Sequence, residues 1–309
     1  MIHIAFQKGD ILAKFGIPYM GSKSGIAADL LKQMPTGKRF VDLFGGGFAM
    51  SHCAFLSGRF EEVYYNDINP LLVPLIQDAI DGKYSYDVFK PDFITREEFF
   101  EKKDTCGYVK YIWSFGNNGR SYAFGKDREV FQKDAHDYIV HEKWSHSLEP
   151  FIGSNTLCSK GIENRTKEFY SLMRKQKTKR RELQRLQILG RISRLNSLGE
   201  LMRKKQPSDN STKLTLSTGS YLDYEYQEGD VIYCDIPYEG TAKYSEGGFN
   251  HKEFYDWALT CDFPIHISSY ELPKDFFCIY EKQKRVMSGI AKTANNKTER
   301  LYVNIGDQG

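Results

Sequence analysis

Four short segments carry the residue types that chemistry on a small charged ligand requires. In Tyr19-Met20-Gly21-Ser22-Lys23 a lysine stands just ahead of the apolar run Ile26, Leu30, Leu31 and Met34, where its ammonium would lie beside a carboxylate-bearing ligand; a simple helix entry is the other reading. Gly45-Gly46-Gly47 closes the apolar stretch Lys38 to Phe44 (K-R-F-V-D-L-F). Backbone without side chains at a strand's end is where an α/β sheet lets a ligand come close. The spacing is not a dinucleotide fingerprint, since Met50 stands where its third glycine would be, and the Gly-Lys-Ser/Thr ending of a P-loop is absent. Asp67 follows the glycines by about twenty residues, at the end of a second run, where an acidic side chain accepts hydrogen bonds from both hydroxyls of a ribose. The ligand then reads as a nucleoside without a pyrophosphate. In Asp235-Ile236-Pro237-Tyr238 a carboxylate acceptor, a backbone carbonyl held by the following proline and an aromatic face make a pocket for a planar group bearing an amino nitrogen.

These segments need strand ends to hold them, and the sequence supplies the strands. Lys38 to Phe44 and Glu62 to Asn66 read as strands, with Phe48 to Leu56 helical between them. Asn69 and Pro70 give a cap and a first-turn proline for a helix through Ile80, completing a βαβ opening. Strand signals return at Val231 to Cys234, Ile265 to Ser269, Phe276 to Tyr280 and Leu301 to Ile305. Asn250 with Glu253 is a capping-box pattern and Phe249 with Phe254 a hydrophobic staple, so the spacing predicts a helix from His251 to about Leu259. The two ends make a mostly parallel α/β sheet, and Lys83 to Asp209 reads as an insertion. Within it Leu183, Leu186, Leu189, Ile192, Leu195, Leu198 and Leu201 recur every third residue, a spacing that circles an α-helix instead of striping it. Short packed helices broken at Gly190 and Gly199, forming a small local core, are the expectation.

Composition narrows the classes. Of 309 residues, 40% are apolar and mean hydropathy is -0.53, with no stretch approaching the ~18 consecutive apolar residues of a membrane span. No secretory signal is legible in Met1 to Gly9, and the six scattered cysteines contain no C-x-x-C pair, which points to a reducing, cytoplasmic setting. His136, His141 and His146 recur every five residues and do not share a helical face, so no metal site is expected. Charge is uneven: fifteen Lys/Arg stand against four Glu between Thr156 and Lys205, an excess of eleven in a chain whose net charge is +3. A basic block set in an acidic remainder suits one region that meets a polyanion and another that does chemistry; a solvated basic helix is the alternative.

In that order, Tyr19-x-Gly21-x-Lys23, Asp42-Leu43-Phe44-Gly45-Gly46-Gly47, Asn66-Asp67-Ile68-Asn69 and Asp235-Ile236-Pro237-Tyr238 resemble the Dam-like DNA adenine-N6 methyltransferases, in which cofactor motifs come first and the catalytic tetrapeptide last. The resemblance covers roughly Gly16 to Ile80 and Ser217 to Ile305, and touches Trp113 to Lys126. It implies a Rossmann-like sheet formed by 1–82 and 210–309, with a mainly helical, basic DNA-recognition insertion at 83–209. It implies S-adenosylmethionine as methyl donor, held by Tyr19, Gly21 and Lys23, by Asp42, Phe44, Gly45 and Gly47, by Asp67 on the ribose with Ile68 beside it, and by Asp235. Asp235, Ile236, Pro237 and Tyr238 would be the catalytic segment, and double-stranded DNA the partner, with room for a restriction endonuclease counterpart. The commoner family tetrapeptide is Asp-Pro-Pro-Tyr, so Ile236 is a departure that the family tolerates. Asn117, Asn118 and Arg120 can read adenine and guanine edges, and Lys177, Lys179, Arg180 and Arg181 can meet phosphates. A glycine-rich surface loop is an equal reading of the former.

The chemistry that such a pocket would perform follows from the amine. The lone pair of adenine N6 is delocalised into the ring until acceptors, the Asp235 carboxylate and the Ile236 carbonyl, hold its two hydrogens in tetrahedral geometry. A flipped base would stack on Tyr238 and N6 would attack the sulfonium methyl in line. Cys234 reads as a buried strand residue, since cysteine attack belongs to ring-carbon methylation. Cytosine-N4 methylation, for which a Ser-led tetrapeptide is usual, glutamine-N5 methylation, which uses an Asn-led one, and a catalytically silent DNA-binding module are the competing readings.

Overall fold

The computed structural model describes residues 14–154, 156–176, 187–205, 212–238, 248–287 and 294–304, with backbone alone for 284–287 and 294–297. Two compact units divide the chain. The described parts of the first are 14–15, 23–70, 212–238, 248–287 and 294–304; those of the second are 16–22, 71–154, 156–176 and 187–205.

The first unit is built on seven strands: β1 Arg39–Asp42, β2 Glu62–Asp67, β3 Lys213–Thr218, β4 Asp230–Cys234, β5 Ile265–Ser269, β6 Phe276–Met287 and β7 Ala294–Asn304. They lie in the order β3-β2-β1-β4-β5-β7-β6. The strands from β3 to β5 are parallel, and β7 runs antiparallel between β5 and β6. Short apolar runs suit the middle of such a sheet because helices cover both faces, and β4 and β5 are buried almost throughout. The edge strand β3, K-L-T-L-S-T, is mostly half-buried and carries too weak an apolar signal to be read from sequence. Strand order reverses between β1 and β4, which pair with Asp42 opposite Tyr233. That is the switch point at which the loops after two neighbouring strands diverge and leave a crevice. Val41, Ile232, Cys234, Phe254, Ile265 and Ile267 form the core beneath it. The helix His251–Thr260 starts as the spacing predicts, with the Asn250 side chain accepting from the Glu253 amide at 3.2 Å and the Phe249 and Phe254 rings 5.7 Å apart.

The second unit is mainly helical, with Leu72–Ile80, Arg96–Lys102, Glu129–His141, Ile162–Lys175 and Gln187–Lys205 as its longer helices. The last corrects the expectation of short helices: Gln187–Lys205 runs unbroken through Gly190 and Gly199. Ile188, Ile192, Leu195, Gly199 and Met202 make an ordinary buried α-helical stripe, spaced four, three, four and three. A methyl group at Gly199 would stand 2.0 Å from the Ala79 carbonyl oxygen, so this glycine permits close helix packing and ends nothing. Leu183 and Leu186 lie outside the described residues. No helix among the described residues is long and apolar enough to cross a membrane.

Candidate active site

Three carboxylates stand at neighbouring strand ends of the sheet unit. Asp42 closes β1 and is buried; its Oδ2 accepts from Ser51 Oγ at 2.7 Å, while Oδ1 is buried without a hydrogen-bond partner among the described residues. Burial, with Asp235 and Asp67 nearby, pushes the Asp42 carboxyl up to about 7 against the pull of the Ser51 hydroxyl. Asp67 closes β2 and accepts from the Gly46 amide at 2.8 Å and the Asn69 amide at 2.9 Å; burial raises its pKa and these two bonds oppose the rise. The glycine loop fits between them because Gly45 carries no side chain: a methyl group there would meet the Tyr65 ring at 2.2 Å. Tyr65 donates from its hydroxyl to the Gly46 carbonyl at 2.9 Å, which fixes the loop's far side. Ile68 beside Asp67 is 73% exposed, an apolar side chain open to solvent. The Phe44 ring packs among Tyr221, Phe249 and Phe254.

Asp235 follows β4 and is one corner of a denser cluster. Lys23, 4% exposed just before the helix Ala27–Gln33, brings Nζ to 2.5 Å from Asp235 Oδ1 and 3.5 Å from Glu299 Oε1. The same ammonium lies 4.8 Å from the centroid of the Tyr238 ring. Tyr238 donates its hydroxyl to Glu299 Oε1, and burial with the Asp235 and Glu299 charges pushes its pKa well above the ordinary range, so it remains a donor. The ring of Tyr270 meets Tyr238 edge-on with centroids 4.3 Å apart. Pro237 is held by its carbonyl, which accepts from His251 Nε2 at 2.6 Å. Ile236 is buried in the core. The sequence reading did not single out Glu299 or His251. Glu299 sits in a polar strand stretch, K-T-E-R, with no motif around it, and only the tertiary pairing of β7 with β5 brings it to the site.

The sequence pattern of the D12 class N6 adenine-specific DNA methyltransferases matches residues 19–258. The chain belongs to that family. A DNA N-6-adenine-methyltransferase of Escherichia phage P1 is 24% identical over 244 residues, 76% of this chain and 26% of that protein, so the chain spans about a quarter of its relative's length. The strand order of this D12-class chain is typical of S-adenosylmethionine methyltransferases.

The helical unit of this D12-class chain holds the other predicted residues. Gly21 has φ +79°, a conformation that favours glycine, and Tyr19 packs its ring 5.1 Å from that of Tyr111. Trp113 to Phe124 forms a hairpin-like loop, bridged between Ser114 and Tyr122, with Phe115 exposed. Asn117 donates from Nδ2 to the Tyr111 carbonyl at 2.7 Å, and Asn118 Oδ1 accepts from the Arg120 and Ser121 amides, so both asparagines shape the turn that presents the exposed Arg120. Lys177, Lys179, Arg180 and Arg181 lie outside the described residues. Several basic residues of the block face inward. Arg191 donates to the Ile112 and Ser114 carbonyls at 2.6 and 2.8 Å, Arg194 to that of Gly16 at 2.8 Å, and Arg203 to that of Ile80 at 2.6 Å. Arg165 donates to the Tyr138 carbonyl. Lys167, Arg174 and Lys175 remain exposed. His136 is buried against the Pro91 carbonyl, and no group of three or more His, Cys, Asp or Glu among the described residues is arranged to hold a metal ion.

Proposed function

We propose that this chain transfers a methyl group from S-adenosylmethionine to the exocyclic N6 of adenine in double-stranded DNA, in the cytoplasm. The observation that carries the reading is the position of Asp235, at the sheet's switch point, one strand from the buried Asp42 and in contact with Lys23. The residues present fit the donor. Asp42 Oδ1, buried without a partner among the described residues, suits a positively charged group; Asp67 suits ribose hydroxyls; and Gly45 lets the loop between them close against the Tyr65 ring. Lys23, Phe44, Gly47 and Ile68 complete the binding set proposed in the sheet unit, and Tyr19 and Gly21 are proposed for the cofactor on the sequence pattern alone. When bound, S-adenosylmethionine supplies an electrophilic methyl group on a sulfonium.

The protein's own part is to make the amine nucleophilic and aim it. Asp235 and the Ile236 carbonyl accept the two amine hydrogens, which favours a tetrahedral nitrogen whose lone pair is free to react. Pro237 and the His251 bond to its carbonyl hold that acceptor pair in place. Tyr238 offers its ring to the base. Arg120, with Asn117 and Asn118 behind it, is proposed to read base edges, and Lys177, Lys179, Arg180 and Arg181 to meet phosphates together with the exposed Lys167, Arg174 and Lys175. Expression in a host free of DNA methylation, followed by hydrolysis of its DNA, tests the assignment: N6-methyladenine is expected. Only N4-methylcytosine, or label incorporated into protein alone, would overturn it.

A further inference from the structure

Glu299 is a carboxylate that the family tetrapeptide does not include. It is 2% exposed, on the strand that runs antiparallel between β5 and β6. Three donors converge on its Oε1: the Tyr238 hydroxyl, the Ser268 hydroxyl at 3.0 Å and the Lys23 ammonium at 3.5 Å. Burying a carboxylate is costly unless it is hydrogen-bonded and paired, so this convergence is a built arrangement and not an incidental contact. One ammonium is therefore shared between two carboxylates, the nearer of them Asp235.

That sharing bears on the step assigned to Asp235. While Lys23 holds Asp235 Oδ1 at 2.5 Å, that oxygen is engaged by a cation and is a poorer acceptor for an amine hydrogen. In a buried place an ammonium leaves one carboxylate at low cost only when another anion already stands beside it. Glu299 is such an anion within this unit, 3.5 Å from Lys23 before any carboxylate of the cofactor arrives, and the same oxygen fixes the Tyr238 ring through its hydroxyl. We propose that Glu299 is a positioning residue: it receives Lys23 as Asp235 turns to the target amine, and it sets the plane of Tyr238 against which the base rests. This rests on the reading of Asp235 as the amine's acceptor.

Glu299→Gln separates charge from shape, since the amide oxygen still accepts from the Tyr238 and Ser268 hydroxyls but no longer attracts Lys23 as an anion. On the full chain, single-turnover methylation of one duplex is measured beside S-adenosylmethionine affinity and melting temperature. Glu299→Gln is expected to slow the single turnover about tenfold or more while cofactor affinity stays within about twofold, the signature of misplacement and not of lost binding. Tyr238→Phe, which removes only the hydroxyl, should slow it about fivefold with cofactor affinity likewise kept. A wild-type rate in folded Glu299→Gln, or a rate loss matched by an equal loss of cofactor affinity, overturns the proposal. If Glu299→Gln does not fold, Tyr238→Phe decides: the loss supports the proposal and a wild-type rate overturns it. Asp235→Ala measured alongside keeps the two readings apart. Should it be active, the assignment of Asp235 falls and this inference with it; should it be inactive while Glu299→Gln is fully active, only the role of Glu299 falls.

Discussion

In the sheet unit, charged side chains gather where parallel strands end and face one another; in the helical unit, they turn back onto backbone carbonyls. Asp42, Asp67 and Asp235 stand at the ends of three strands; burial raises the pKa of Asp42 and of Asp67, and for Asp42 the nearby Asp235 and Asp67 charges add to the rise. Such an arrangement costs stability, because like charges are brought together out of water. Arg165, Arg191, Arg194 and Arg203 do the reverse, each satisfying carbonyls of its own unit. Burial lowers the Arg191 and Arg194 pKa to about 10, which leaves both charged at neutral pH. Clustered like charge at strand ends is a candidate for chemistry, whereas positive charge bound to backbone carbonyls is a mark of architecture. A count of basic residues cannot tell the second from a nucleic-acid surface.

The comparison is most exposed at Asp235. If the strand-end carboxylates serve chemistry, Asp235→Ala should lower the single-turnover rate by about 10²–10³-fold, the usual effect of deleting one preorganised polar group at a reacting centre. Lys23 would retain Glu299 as its partner, so the fold should survive. A rate near that of the unsubstituted protein would make these carboxylates as architectural as the arginines of the other unit.

How much of this was legible follows the same division. The places of the loops after β1, β2 and β4 are readable because the signal is local: a glycine run, or an acid followed by proline and tyrosine, directly after an apolar run falls at a strand's end. The central strands are legible too, β5 over the predicted residues Ile265–Ser269. What was not legible depends on tertiary neighbours. Glu299 has no local signature, and its partners come from a loop near the N-terminal end, from Ser268 and from Tyr238. Gly199 looked like a helix breaker, yet it is there because Ala79 comes close. The edge strand β3 alternates polar and apolar residues weakly because it is half-exposed. Arginine charge was visible, but its destination was not.

If the exposed charges of the helical unit meet DNA as proposed, the salt dependence of that binding separates the two uses of positive charge within the unit. Arg174→Ala with Lys175→Ala removes two exposed charges and should flatten the log-log salt slope by about 1.8, which amounts to roughly 12-fold over a fourfold change in salt. Arg191→Ala should leave that slope unchanged. It should instead lower stability by about 1–3 kcal/mol, because the Ile112 and Ser114 carbonyls lose their donor. Binding titrations at several salt concentrations and chemical denaturation read the two effects separately. A slope that responds to Arg191 and ignores Arg174 and Lys175 would reverse the assignment of inward and outward charge.

The smallest effect sharpens the sheet side of the comparison through Asp42. Its carboxyl, raised to about 7, holds a proton more firmly in the folded protein than in the unfolded chain. Its contribution to stability is therefore fully present below about pH 4 and is lost as pH rises through about 7. A cationic donor needs the opposite state, the ionised carboxylate. With a pKa of about 7, roughly one-tenth of Asp42 is ionised at pH 6 and nine-tenths at pH 8, so cofactor affinity should tighten by up to about tenfold over that interval. Binding near neutral pH should also release a proton, seen by calorimetry as a heat that depends on the buffer's ionisation enthalpy, and the release should vanish above pH 8. Asp42→Asn should make affinity independent of pH at about the low-pH value. If Asp42→Asn retained the full pH dependence, the titrating group would lie elsewhere, and the buried Asp42 would be a piece of architecture in the unit where charge otherwise serves chemistry.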